Sequence, residues 1–263
     1  MHVHRADWDG LIVDRCDPAD ALVIEVPIKP SPRGGSGTFL AADAEGAQWW
    51  VKPLNNNQGP RVIVTEAVVG MVGRLIDAPV CETTIVQLPP EISGWEFRPG
   101  SVIEPGFAHA SQNVSGVQED RSLLFRDRDD NSKRHVGVIA LYDWCWGGDD
   151  QWLYAEPKDR QIYSHDHGWY LPETGPNWSA ATLEARVDEE HLPMWKTNGL
   201  DEAEVSRIAA ALRGLTRQAI AAALAGIPTS WPVTDLELES AGWFLECRSG
   251  AVADRMDLLG GEL

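Results

Sequence analysis

One lysine, one glutamate and two acidic clusters are the residues of this chain best suited to chemistry. Lys52 ends an apolar run, Glu66 follows within a helical pattern, and the clusters Asp149–Gln151 and Asp166–Gly168 come later. Transfer of the γ-phosphoryl group of ATP needs such parts in this order. The lysine contacts the phosphates and is held by the glutamate, the first cluster orients the acceptor, and the second holds Mg²⁺. The order and spacing therefore predict phosphoryl-transfer chemistry.

Each of these residues also has an ordinary interpretation. Lys52 could be an exposed lysine at a strand end, and the two aspartates after Gly147-Gly148 could be turn residues. Glu66 is different, because it lies on the same helical side as Val62 and needs a cationic partner once it is buried. Lys52 is the natural partner, so the two functional assignments support each other.

Composition indicates a folded protein with a strong negative charge. The chain has 263 residues, 43% of them hydrophobic, and a formal net charge of −18. This charge argues against nucleic acid or an anionic membrane as a partner. The segment MHVHRADWDG contains no apolar stretch typical of a signal peptide, and the longest apolar window, 219–227, is too short to span a bilayer. Four scattered cysteines are typical of reduced thiols, so we expect a cytoplasmic protein.

The predicted elements change from strand to helix along the chain. Residues 22–28, 38–43, 47–53 and 82–89 have strand patterns, and residues 62–76 have a helical period that contains Glu66. Charged residues dominate 118–133, which we interpret as a solvated loop. A helix follows from Val136 to Trp144, then two short strands, WLY and QIYSH, and then helices from Asp201, over 216–225 and over 235–249. This order predicts a bilobal α+β fold, with a strand-rich N-lobe over 1–105 and a mostly helical C-lobe over 106–263.

Three stretches of the sequence resemble the HipA-type kinases, a branch of the protein-kinase-like superfamily. The stretches are WWVKPLNNNQGPRVIVTEAVVGMVGRLIDAPV, ALYDWCWGGDDQWLY and IYSHDHGWYL. Small members of that family carry asparagines and a Gln-Gly step between the lysine and the glutamate helix, and an Asp-His-Gly metal loop. The resemblance extends from about Gly34 to Trp231. It implies a bilobal kinase fold and an ATP- and Mg²⁺-dependent kinase that phosphorylates serine or threonine.

The resemblance also implies roles for individual residues. The loop residues Gly34, Gly35, Ser36 and Gly37 would lie over the phosphates of ATP, with Arg33 adding positive charge. Lys52, paired with Glu66, would contact the α- and β-phosphates, and Asp166 and Gln151 would hold Mg²⁺. The adenine would lie in the cleft between the lobes, near 89–104. The acceptor would be a hydroxyl group of a protein or of a small molecule.

The predicted catalytic loop departs from the family pattern. It is about three residues shorter, and Gln151 stands where the family has a metal-binding asparagine. We expect Asp149 to orient the acceptor hydroxyl, with Asp150 as the second candidate and Asp143, on the preceding helix, as the third. The departure leaves open a weak kinase, a kinase with an unusual acceptor, and a nucleotide-binding pseudokinase without turnover.

A different chemistry is compatible with the same region. His165 and His167 flank Asp166, and His135 lies upstream, so these residues could hold Zn²⁺ or Fe²⁺ in a metal-dependent hydrolase. The sequence contains no second histidine motif with metal-ligand spacing, which disfavours this alternative.

Overall fold

The chain folds into a mixed arrangement of helices and strands. The computed structural model describes residues 3–32, 37–173, 177–192 and 195–261. Within these residues the strands are β1 (Leu22–Pro30), β2 (Phe39–Asp43), β3 (Gln48–Lys52), β4 (Thr83–Leu88), β5 (Glu96–Arg98), β6 (Ser101–Val102), β7 (Gly106–Gln112), β8 (Val117–Asp120), β9 (Trp152–Ala155) and β10 (Gln161–Ser164). The α-helices are α1 (Arg61–Leu75), α2 (Asn131–Trp144), α3 (Ala180–Arg186), α4 (Glu202–Gly214), α5 (Arg217–Leu224) and α6 (Asp235–Gly261).

Five strands close into a small barrel in the order β1-β2-β3-β7-β4. Neighbouring strands are antiparallel except β1 and β4, which pair in parallel and close the barrel. Side chains alternate between the two faces of a strand, so Val51 points into the barrel while Lys52 lies on its outer face. Phe39, Val51 and Ala110 belong to the apolar interior. The alternation therefore turns Lys52 away from the barrel core.

The helix that carries Glu66 is buried on most of its surface. Helix α1 contains a run of fully or nearly fully buried residues from Val62 to Gly70, and its apolar side chains join the core formed with α2, α4, α5 and α6. The helix ends before Asp77, which adopts a left-handed conformation (φ 56°), and Pro79 follows in the connection to β4. Helix α1 thus links the barrel to the helical part of the chain.

A three-stranded antiparallel sheet, β10-β9-β8, follows the barrel along the chain. It packs on α2 through Val138, Trp152, Tyr154 and Ile162. Residues 113–116 connect β7 of the barrel to β8 of this sheet. The short connection therefore joins the two sheets directly.

Three element boundaries differ from the sequence-based predictions. Strand β7 pairs with β3 and β4, so the barrel continues past residue 105 to Gln112. The charged stretch expected to be a loop contains part of β8, because Val117–Asp120 pairs with β9, and it also contains the start of α2. Helix α6 extends to Gly261 rather than ending near 249. Tertiary pairing, which local composition does not reveal, determines the first two differences.

None of the helices that the structure describes has the length and apolar character needed to cross a membrane.

Candidate functional site

Lys52, Glu66 and Asp166 form a compact ionic cluster. The Lys52 ammonium donates hydrogen bonds to Oε1 of Glu66 and to Oδ1 of Asp166, the latter over 2.7 Å. The Lys52 and Glu66 side chains are only 7% and 4% exposed, whereas Asp166 is 37% exposed. The structure therefore brings together a lysine and two carboxylates that the sequence separates by up to 114 residues.

Backbone contacts from two directions position Asp166. Strand β10 is anchored to the segment after α1, since Ser164 N donates to Pro79 O over 2.7 Å and Cys81 N donates to Ser164 O over 3.0 Å. Past Asp166, the amide of His167 donates to the second carboxylate oxygen of Glu66, Oε2, over 2.9 Å. Glu66 therefore binds both the lysine and the backbone of the Asp-His-Gly loop.

The loop geometry requires the residues found there. Asp166 adopts a left-handed conformation (φ 55°), which aspartate tolerates better than most side chains. Gly168 packs directly against α1, where a Cβ atom would collide with Val62 and come within 3.3 Å of Glu66 Oε1. A glycine at position 168 is therefore required for this close approach to the helix.

Burial and the shared ammonium determine the charges of the cluster. Burial raises the pKa of Glu66 to about 7, although the Lys52 charge opposes this shift. Burial also tends to raise the pKa of Asp166, but Lys52 and then His165 outweigh burial and lower it. Burial disfavours the charged form of Lys52, yet the carboxylates of Asp166 and Glu66 raise its pKa. Lys52 is therefore a permanent cation at neutral pH and Asp166 a permanent anion.

Three histidines around the cluster are neutral at pH 7. His109 lies opposite Lys52 on the neighbouring strand. Burial, followed by the Lys52 charge, lowers its pKa to about 3. Burial likewise lowers the pKa of His167 to about 3, and lowers the pKa of His165. Lys52 thus supplies the positive charge at the centre of the site. His109 was not among the residues predicted from the sequence, because only strand register reveals its proximity to Lys52.

The aspartates of the shortened loop occupy different surroundings. Gln151 Nε2 donates to Asp149 Oδ2 over 2.6 Å, and exposed Arg121 lies 3.9 Å from Asp149 Oδ1. Burial lowers the pKa of His165, the residue before Asp166, and the charge of Asp149 has only a minor opposing effect. Burial raises the pKa of Tyr142, and Asp150, through its charge and a contact with the hydroxyl, raises it further, with a smaller effect from Asp149. Asp150 Oδ1 is buried and has no hydrogen-bond partner among the residues described.

The third sequence candidate, Asp143, is a structural residue. Its side chain is completely buried and accepts hydrogen bonds from Arg248 over 3.0 Å and from Arg255 over 2.7 and 2.9 Å. Both arginines belong to α6. Because this carboxylate is fully engaged with the C-terminal helix, Asp143 is not available to bind an acceptor, and its assignment as a catalytic candidate was wrong.

Most of the predicted phosphate-binding loop, together with the preceding arginine, lies outside the described residues. The positions concerned are Arg33, Gly34, Gly35 and Ser36. Gly37 is described and has a left-handed backbone (φ 73°), and a Cβ atom there would lie 2.9 Å from the Phe97 ring. Gly37 therefore marks the point where the chain turns closely past Phe97 into β2.

Part of the segment expected to contact adenine faces the barrel interior. Within 89–104, Phe97 and Ile103 belong to the barrel interior, which is the face opposite Lys52. The outer face instead carries the half-buried Trp50, two residues before Lys52. Trp50 Nε1 donates over 3.0 Å to Oδ1 of Asn113, the first residue after β7. The doublet WWVK contains this signal, since strand alternation gives Trp50 and Lys52 the same face.

The histidines of the hydrolase alternative do not converge. His135 Nδ1 accepts from Arg126 over 3.1 Å, and His167 Nε2 lies 2.7 Å from Ser164 Oγ. Across the described parts of the chain, no group of three or more His, Cys, Asp or Glu side chains could hold a metal ion. The structure therefore gives no support to a histidine-based Zn²⁺ or Fe²⁺ site.

Comparison with known proteins identifies a kinase of similar fold. No family model matches the sequence, and no curated protein matches it significantly. The structure is similar to the crystal structure of the proinflammatory kinase CtkA of Helicobacter pylori, with a TM-score of 0.58 and 11% identity over 92% of this chain and 97% of that chain. A weaker match, with a TM-score of 0.40 and 12% identity, covers 98% of this chain and 73% of HipA in the Shewanella oneidensis MR-1 toxin–antitoxin complex with HipB and operator DNA.

The CtkA match confirms the resemblance to kinases at the level of the fold. At 11% identity it extends to the arrangement of elements and not to the chemistry of individual residues. The HipA match is too weak to carry an argument of its own. Function must therefore be argued from the ionic cluster and the loops around it.

Proposed function

We propose that the chain is an ATP- and Mg²⁺-dependent phosphotransferase with an alcohol group as acceptor. One observation carries the proposal: Lys52 lies between Glu66 on a buried helix and Asp166 in a loop after a strand. Phosphoryl transfer needs a fixed cation for the phosphates and a carboxylate for the metal at adjacent positions. In a protein with a net charge of −18, such a fixed cation is also needed to offset repulsion of the nucleotide.

The proposal includes a bilobal division with the nucleotide between the lobes. The barrel, which extends to Gln112, would form the N-lobe, and the remaining sheet and helices would form the C-lobe. The base would lie against Trp50, near the connection 113–116. Trp50 and Lys52 are about 7 Å apart along the strand, since a strand rises about 3.3 Å per residue. The base and the first phosphates of one nucleotide are separated by a similar distance.

Asp166 and Gln151 are chemically suited to Mg²⁺. Lys52 occupies Oδ1 of Asp166, which leaves Oδ2 as a hard oxygen ligand, and Gln151 uses its nitrogen on Asp149, which leaves its carbonyl oxygen. Mg²⁺ is commonly bound by one or two protein oxygens together with phosphates and water. When bound, the ion would neutralise charge on the β- and γ-phosphates. Asp166 and Gln151 would hold it.

The acceptor hydroxyl would be oriented by Asp149. Asp149 accepts a hydrogen bond from Gln151, the second proposed Mg²⁺ ligand, whereas Asp150 acts more strongly on Tyr142. Asp149 Oδ1 would accept a hydrogen bond from the hydroxyl and direct its oxygen toward the γ-phosphorus. The acceptor belongs to a protein or a small molecule, and the proposed location is the cytoplasm. Nucleic acid and membrane are not proposed as partners, given the charge of −18.

Nucleotide binding can be tested separately from transfer. ATP with Mg²⁺ should raise the melting temperature of the wild type, EDTA should abolish the increase, and Mg²⁺ or Mn²⁺ should restore it. Lys52→Ala should lose most of the increase, and Lys52→Arg should recover part of it, because a planar fork replaces a compact ammonium. An equal ATP-dependent shift in wild type and Lys52→Ala would remove the lysine from the proposed site.

A nucleotide-binding pseudokinase is the second candidate function. The hydrogen bond from Gln151 and the nearby Arg121 both engage Asp149, the residue needed to orient an acceptor. Turnover separates the two candidates. A kinase should release ADP, and Asp149→Asn should reduce that release with little change in ATP affinity. A pseudokinase would bind ATP with no ADP release in either protein.

A further inference from the structure

The loop that leads into Asp149 is held in a conformation unusual for its residues. Trp146 has a left-handed backbone (φ 55°), which is rare and costly for a bulky aromatic residue. At Gly147, a Cβ atom would collide with the Tyr142 ring. The Gly147 amide donates to Tyr142 O over 2.8 Å, which closes the turn back onto α2. Such a strained turn persists only where neighbouring groups hold it.

His191, from a distant segment, supplies such a group. Its ring stacks on Trp146 with centroids 4.3 Å apart and planes 14° from parallel. The same His191 ring also stacks on the Tyr142 ring, with centroids 5.5 Å apart and planes 8° from parallel. His191 Nε2 is also 2.6 Å from the Gly147 carbonyl oxygen and donates a hydrogen bond to it. The His191 side chain therefore contacts Trp146 and Gly147 in the strained turn and Tyr142 on the helix that precedes it.

Arg248 of helix α6 anchors the stack. The Arg248 guanidinium lies 5.0 Å from the centre of the Trp146 ring. It also donates to Trp144 O over 3.2 Å and to Glu189 O over 2.6 Å. Arg248 thus fixes both the start of the loop and the segment that carries His191. Asp143, whose carboxylate binds Arg248, orients the guanidinium.

The other end of the stack reaches the two aspartates of the shortened loop, Asp149 and Asp150. Tyr142, which stacks on His191, interacts through its hydroxyl with the carboxylate of Asp150. Asp149 is the adjacent residue, and its Oδ2 accepts a hydrogen bond from Gln151 over 2.6 Å. Because neighbouring residues share a backbone, anchoring Asp150 on Tyr142 also restrains the backbone at Asp149.

We propose that His191 is a positioning residue for the acceptor-orienting loop, an inference that rests on the proposed phosphotransferase function. Its ring clamps the turn at Trp146 and Gly147 and, through Tyr142 and Asp150, directs Asp149 toward the γ-phosphate position. His191 does not touch nucleotide or metal, so its effect is on transfer and not on binding.

The kinetic test compares His191→Ala, His191→Phe and the control Glu190→Ala, which changes the exposed neighbour. His191→Ala should lower kcat for ADP release by about 10- to 100-fold, as expected for a displacement of about 1 Å, with KM for ATP within about twofold of wild type. His191→Phe keeps the stack and should recover most of kcat, and Glu190→Ala should equal wild type. Unchanged kcat in His191→Ala would overturn the proposal, as would parallel loss of ATP binding and turnover.

Hydrogen exchange supplies a readout that does not depend on kinase activity. In His191→Ala, amides of 146–151 should exchange faster, while those of α1 around Glu66 should match wild type. His191→Phe should protect 146–151 nearly as well as wild type does. Unaltered exchange in 146–151, or faster exchange throughout α1, would overturn the positioning role. A wild type without turnover but with the local exchange effect would instead refute the phosphotransferase function and leave the clamp intact.

Discussion

Replacing Lys52 by methionine should destabilise the protein more than any surface substitution. The lysine is the shared partner of Glu66 and Asp166, and the buried Lys52 and Glu66 side chains are 7% and 4% exposed. Breaking a buried pair by removing one partner costs about 3–5 kcal/mol, because the remaining charge stays buried. Most of this cost arises at Glu66, since Asp166 is 37% exposed and water screens it. At about 2–4 °C per kcal/mol, the melting temperature should fall by about 6–20 °C at pH 8.

The loss should depend on pH in a defined direction. Burial raises the pKa of Glu66 from 4.5 to about 7 in the wild type, so its contribution to stability is complete below 4.5 and disappears as the pH rises through 7. Without Lys52 the pKa of Glu66 rises further, and the carboxyl takes up a proton more readily as the pH falls. The difference in stability between wild type and Lys52→Met should therefore shrink between pH 8 and pH 5.

Denaturant unfolding at pH 8, 7, 6 and 5 measures this effect directly. The matched control is the double variant Lys52→Met/Glu66→Gln, which removes the buried charge and should recover most of the stability lost in the single variant at pH 8. A single variant within about 1 kcal/mol of wild type at pH 8 would refute the reasoning, as would a stability difference that stays constant with pH.

Three further predictions concern residues around the cluster. Gly168→Ala should lower the free energy of unfolding by about 1–3 kcal/mol and reduce ATP-induced stabilisation, because the added methyl group meets Val62. In the same thermal-unfolding assay, the control Gly214→Ala should not destabilise the protein, because the space around Gly214 is open. Trp50→Ala should weaken ATP binding in titration calorimetry roughly tenfold or more and triphosphate binding much less, since stacking contributes about 1–3 kcal/mol per base; equal loss for both ligands would contradict base stacking. Asp143→Asn should lower the free energy of unfolding by about 3 kcal/mol, because it removes the charge that pairs with Arg248 and Arg255, and it should leave ATP affinity near wild type. A selective loss of ATP affinity would argue against a purely structural Asp143.

The central cluster was predictable from sequence because its members lie on regular elements. Strand alternation places Lys52 opposite the barrel core, and a buried Glu66 on a helix requires a cation, so each residue constrains the other. The Asp-His-Gly loop was readable for a similar reason, as aspartate and glycine suit a sharp turn after a strand. Together with the resemblance to HipA-type kinases, these local patterns were sufficient to predict the kinase-like fold that the structural comparison confirms.

The surroundings of the cluster were not predictable, because they depend on contacts between distant segments. Strand register alone brings His109 beside Lys52, and α6 alone reveals that Asp143 is a structural ion-pair partner. The His191 stack joins residues that lie 45 and 49 positions apart and has no signal in local composition.

The measurement that tests the central claim most directly is ADP release in the presence of ATP and Mg²⁺, for wild type and Asp166→Asn. Asp159→Asn is the matched control, because Asp159 has the same left-handed backbone (φ 50°) but is exposed, in the turn between β9 and β10. Wild type and Asp159→Asn should release ADP at equal rates that EDTA abolishes, and Asp166→Asn should lose at least about 100-fold, corresponding to about 2.7 kcal/mol of transition-state stabilisation. Equal Mg²⁺-dependent release from wild type and Asp166→Asn would contradict the assignment of this cluster as the phosphotransfer site.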